Sequence, residues 1–104
     1  EDAISIKDRK NLSANGYIEV TILITPKGNI HKTPLLTFKG IPIDDMEEFV
    51  YGLEDVIEQV TKTFKLGNKQ QEYNLIDAIK ISCRKFTKEK TGKKPFTNIN
   101  LVKI

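Results

Sequence analysis

The sequence predicts an α+β fold: a small three-stranded mixed sheet with two antiparallel helices on one face, in the order β-β-α-α-β. Three observations carry this reading. A β-branched run over 17–25 alternates like a strand, and a second extended segment follows a turn. Two long segments then place apolar residues at helical spacing. A last aliphatic run lies beyond Pro95. With 104 residues, 38% hydrophobic and 30% charged, the chain suits one compact domain rather than disorder or a fibrous repeat.

Residues 1–16 read as a lead-in segment, with Ile4 and Ile6 in a short extended piece and Asn15-Gly16 as a turn signal. In the first strand Ile18, Val20, Ile22 and Ile24 share one face; Tyr17, Glu19, Thr21, Leu23 and Thr25 share the other. Pro26-Lys27-Gly28-Asn29 forms the turn, since Pro26 presets φ and Gly28 tolerates φ > 0. The second strand is expected over 33–39, paired to the first as a hairpin of open register.

The first helix carries Met46, Phe49, Val50, Leu53, Val56, Ile57, Val60 and Phe64 as an apolar stripe. Asp45 and Glu48 have capping-box spacing, and Gly67 is the expected C-cap. The second helix is expected over 71–90. Its weaker stripe is Ile76, Ile79, Cys83 and Phe86, flanked by Leu75 and Ser82, and Thr91-Gly92 ends it. The final strand is expected over 98–104, parallel to the first and beside it.

Two helices cover only one face of such a sheet. The opposite face should be polar where it meets water, yet it holds Tyr17, Thr21 and Leu23, with Leu35 and Thr37 joining from the second strand. That half-apolar set is either an interface or the ordinary scatter of surface Leu and Tyr.

The net charge of +3 is unevenly spread. Residues 1–67 hold 8 basic and 11 acidic residues, while 68–104 hold 9 and 3. Segment 80–94 sets seven basic residues, among them Lys85, Lys88, Lys93 and Lys94, against Glu89. Such a segment suits nucleic acid or an acidic partner, or it is a helix end whose lysines complement the dipole.

Catalytic chemistry is poorly supplied. One histidine, His31, and one cysteine, Cys83, cannot build a usual zinc site or a Ser-His-Asp triad. His31 reads as a solvated loop residue and Cys83 as core packing. Asp44-Asp45 and Glu47-Glu48 read as helix-start acids, because adjacent helical residues diverge. Thr91-Gly92-Lys93-Lys94 fails the phosphate-loop pattern, with Thr87 where a glycine is required. A lone cysteine fits a reducing setting, and no transmembrane span or secretory signal is expected. These readings favour a binding or assembly module.

Three stretches carry a family resemblance. They are Ile4-Ser5-Ile6-Lys7-Asp8-Arg9-Lys10-Asn11-Leu12 leading to Asn15-Gly16, then Pro34-Leu35-Leu36-Thr37-Phe38-Lys39-Gly40, then Phe86-Thr87-Lys88-Glu89-Lys90-Thr91-Gly92-Lys93-Lys94-Pro95-Phe96. In this order the chain resembles the C-terminal domain of bacterial ribonuclease J, of the metallo-β-lactamase/β-CASP group. Ile41 after Gly40 departs from the family pattern.

The resemblance implies a fragment of a larger cytoplasmic RNA-degrading enzyme. Residues 1–16 would be linker remnant and lead-in, and 17–104 a single C-terminal domain. Zinc or another divalent metal would sit in the parent's N-terminal catalytic core, whose His-x-His-x-Asp-His motif this chain lacks. No catalytic or metal residue carries over. The implied partners are a second copy of the parent, in a dimer or tetramer, and the parent's own catalytic core. The candidate interface is Tyr17, Thr21, Leu23, Leu35 and Thr37. The candidate RNA contacts are Lys85, Lys88, Lys93 and Lys94.

Overall fold

A computed structural model describes residues 15–27, 29 and 33–104. The elements are β1 (Tyr17–Ile24), β2 (Leu35–Lys39), α1 (Met46–Lys62), α2 (Lys69–Thr91) and β3 (Phe96–Lys103). The sheet order is β2-β1-β3, with β2 antiparallel and β3 parallel to β1. The expected order and mixed sheet are both observed. The short extended piece around Ile4 and Ile6, the conformation of Gly28 and the placement of His31 lie outside the described residues.

β1 forms the middle of the core because its even-numbered aliphatics all point inward. Ile18, Val20, Ile22 and Ile24 are buried against Phe49, Leu53 and Ile57 of α1, Leu75, Ile79 and Cys83 of α2, and Ile99 of β3. Burying an aliphatic side chain of this size contributes about 1.5–3 kcal/mol, which makes this cluster the main source of stability. After β1, Thr25 N–H donates to Asn29 O and Asn29 N–H donates to Thr25 Oγ1, closing the turn.

α1 starts where expected. Asp45 stands in extended backbone and its carboxylate accepts from Glu48 N–H at 3.1 Å. It ends earlier than expected: the C-cap is Thr63, not Gly67. Thr61 and Thr63 donate their hydroxyls to the carbonyls of Glu58 and Val60, both at 2.8 Å. Thr63 and Phe64 N–H reach back only three residues, so the last turn tightens and the helix stops. The expected stripe is also shorter, since Met46 is 49% exposed and burial begins at Phe49.

α2 begins two residues before the expected start. Asn68 is its N-cap, with Oδ1 accepting from Gln71 N–H at 2.9 Å. Its buried line is Leu75, Ile79, Cys83 and Thr87, one residue every four. Ile76 and Phe86, expected in the stripe, are half-buried beside it. Thr87 is a polar side chain in a core position, tolerated because its hydroxyl donates to Cys83 O at 2.8 Å. Gly92 then ends the helix with φ 78°, as expected for a left-handed cap.

β3 starts at Phe96 rather than 98, directly after the buried Pro95. Phe96 N–H donates to Gly16 O at 3.0 Å, and Ile104 N–H donates to Ile24 O at 2.9 Å, so β3 pairs along all of β1. No described helix is long and apolar enough to cross a membrane.

Candidate functional site

The helices lie on one side of the sheet, and the strand registers fix what stands on the other. Lys39, Tyr17 and Phe96 form the first row across β2, β1 and β3. Thr37, Glu19 and Asn98 form the second, and Leu35, Thr21 and Asn100 the third. Leu23 and Val102 close the far end. The five interface candidates, Tyr17, Thr21, Leu23, Leu35 and Thr37, therefore share one face.

They do not form one apolar patch. The middle is a polar network. Asn100 Nδ2 donates to Glu19 Oε2 at 2.9 Å and lies 3.4 Å from Thr21 Oγ1. Asn98 Nδ2 donates to the same carboxylate oxygen at 3.4 Å and to Asn100 Oδ1 at 3.3 Å. Partial burial raises the Tyr17 phenol above its ordinary 10.0, and the Glu19 charge and hydrogen bond add to this. The hydroxyl is thus held protonated and tied to the network.

At one end Tyr17 stacks on Phe96, ring centroids 5.9 Å apart and planes 13° from parallel. At the other end are Leu23, Val102 and Leu35, the last 60% exposed. Six residues of β1 separate the two ends, about 20 Å of extended strand. Phe96 and Val102 were missed as face residues. Pro95, tolerated at the start of a strand, could have marked Phe96, and the alternation of the expected 98–104 strand could have placed Val102 on the face of Asn98 and Asn100.

The four lysine candidates are split by the fold. Lys85 and Lys88 are exposed on α2, in the helical layer. Lys93 and Lys94 lie in the loop leading to Phe96, where Lys94 N–H donates to Asn15 Oδ1 at 3.2 Å. Lys93 is half-buried and Lys94 exposed. Among the described residues no ion pair engages any of the four, because the two pairs present are Lys62–Glu58 and Lys103–Glu72.

Among the described residues no three His, Cys, Asp or Glu side chains converge to hold a metal, so this set does not fit a divalent-metal centre. Burial pushes the Cys83 thiol from 9.0 up to about 12, which withholds the nucleophilic thiolate at neutral pH. Asp45 is spent on capping α1.

A family model of the ribonuclease J C-terminal domain matches residues 4–103. The chain belongs to that family. No curated protein matches it. For a ribonuclease J C-terminal domain, the setting is RNA degradation by a parent ribonuclease. Within this domain, no described element covers the sheet face opposite the helices, and the four lysines make no ion pair among the described residues.

Proposed function

We propose that this chain is the non-catalytic C-terminal domain of a ribonuclease J-like enzyme, holding subunits of the parent together and thereby supporting its nuclease activity. The metal-dependent chemistry then belongs to a catalytic core elsewhere in a cytoplasmic parent. The supporting observation is the aliphatic end of the open face, where Leu23 and Val102 pair across β1 and β3 beside the exposed Leu35. Apolar side chains grouped on a sheet face that no described element covers gain by burial against a second copy.

Sedimentation velocity across a wide concentration range tests the reading. The expected result is a concentration-dependent shift from monomer to dimer, abolished in Leu23→Glu. A monomer at every concentration, or dimerisation unchanged in Leu23→Glu, overturns it.

A second reading rests on a different observation: Lys85, Lys88, Lys93 and Lys94 make no ion pair among the described residues. These would contact RNA phosphates. The expected result is an affinity for single-stranded RNA whose logarithm falls against the logarithm of salt with a slope of about −0.7 per phosphate contacted. Salt-independent or absent binding defeats it.

A further inference from the structure

We propose that the Lys39–Tyr17–Phe96 row is a stacking platform for a base of single-stranded RNA, with Lys39 and Lys94 taking the flanking phosphates. The proposal deepens the RNA reading of the basic segment and rests on it, adding a base contact on the sheet to the phosphate contacts of the lysines.

Four observations carry it. The rings of Tyr17 and Phe96 lie nearly parallel, so they form a short aromatic column across the strands. Phe96 stands on β3, an edge strand among the described residues, where no further described strand faces its outer side. A base can extend the column there, and any base offers a π face. Second, the row is flanked by cations: Lys39 is the register partner of Tyr17, and Lys94 precedes Phe96 by two residues. Both are exposed, and neither is ion-paired among the described residues.

Third, the neighbouring row sets the direction of the strand. The Glu19 carboxylate repels phosphate, so the backbone is kept to the Lys39/Lys94 end while the base lies inward. Fourth, the Asn98 side-chain amide stands one row from the rings, where its carbonyl oxygen can accept from a base N–H. Aromatic side chains on a sheet face, rimmed by lysines, is an arrangement that suits single-stranded RNA, whose bases stack on rings while cations track the phosphates. The aliphatic end used by the assembly reading lies about 20 Å away, so the two surfaces do not exclude each other.

The test is fluorescence anisotropy with two labelled probes, an oligouridylate of about eight nucleotides and an abasic ribose-phosphate strand of the same length. The chain should bind the oligouridylate more tightly than the abasic strand. Phe96→Leu, which keeps an apolar strand residue but removes the ring, should lose about tenfold on the oligouridylate and nothing on the abasic strand. Tyr17→Phe keeps the ring and should bind as the parent does. Lys94→Gln should flatten the salt slope by about 0.7 and leave the preference for bases intact.

Equal affinity for both probes, or Phe96→Leu binding like the parent while still melting cooperatively, overturns the platform and leaves the phosphate reading standing. No salt-dependent binding to either probe overturns both. If Phe96→Leu changes self-association and not RNA affinity, the row is a protein contact and the platform is likewise overturned.

Discussion

Gly16→Ala is expected to lower stability by about 2–4 kcal/mol, through a conformational and a steric cost that add. Gly16 has φ +87°, where an L-residue pays about 1–2 kcal/mol. A Cβ there would also stand 2.8 Å from the carbonyl oxygens of both Lys39 and Gly40. These are backbone atoms at the end of β2 and cannot swing aside. Nor can Gly16 retreat freely, because its own carbonyl accepts from Phe96 N–H and anchors β3. The residue sits where all three strands meet, so relief at one seam loosens another.

For a domain of this size the loss corresponds to a melting temperature lower by about 10–20 °C, measurable by circular dichroism. Gly92→Ala is the internal comparison. Gly92 has φ 78° but no atom within 4 Å of the added Cβ, so it should lose only about 1 kcal/mol. Equal losses at the two positions would show that the carbonyl crowding at Gly16 contributes nothing.

Gly52→Ala is expected to destabilise by about 1–3 kcal/mol, although alanine is the better helix former. On an exposed helix the same change would add about 1 kcal/mol of stability. Gly52 faces α2, and the Phe86 ring packs directly on its Cα. An added Cβ would lie 2.9 Å from Phe86 Cε1, with Cζ closer still. The ring is held from other sides by Phe49, 5.4 Å between centroids, and by Lys90 Nζ, 5.7 Å from its centre. To admit the methyl group, α1 and α2 must separate or Phe86 must leave Phe49.

Denaturant unfolding of the single and double variants with Phe86→Leu decides between these effects. In the Phe86→Leu background the Gly52→Ala change should cost less, or turn stabilising, giving a coupling of about 0.5–3 kcal/mol. A stabilising Gly52→Ala in the parent background would show that the helices do not need the close approach.

These two glycines also show what local pattern could and could not reveal. Gly92 was legible as a helix end, because the helical stripe stops there and proline follows. Gly52 carries no such sign, since its reason lies in Phe86, a residue of another helix. Asp45 was legible as an N-cap from Glu48 three residues on. Asn68 was not picked out in the same role, although it precedes α2 as Asp45 precedes α1. Gly67 looked like the end of α1, and the helix had already been stopped by threonine hydroxyls turning back on its carbonyls. Thr87 was absent from the expected core because an apolar count passes over a threonine whose hydroxyl is satisfied within its own helix.

The candidate face divides in the same manner. Alternation along 17–25 was enough to put Tyr17, Thr21 and Leu23 opposite the buried isoleucines. The hairpin then brought Leu35 and Thr37 to that face. Their neighbours on the other side, Phe96, Asn98, Asn100 and Val102, come from a strand some 79 residues away in the chain, as the Glu19–Asn98 bond illustrates.

By itself the sequence determined the α+β class, the element order and the inward face of β1, because periodicity, caps and turns act within a few residues. It also carried the family resemblance and the charge asymmetry. Only the tertiary structure decided that Tyr17 meets Phe96, that Glu19 is bridged by two asparagines, and that the lysines separate between α2 and the loop before β3. Those outcomes depend on parallel register, and register is set by burying β1 and β3 together under the helices rather than by any residue's nearest neighbours.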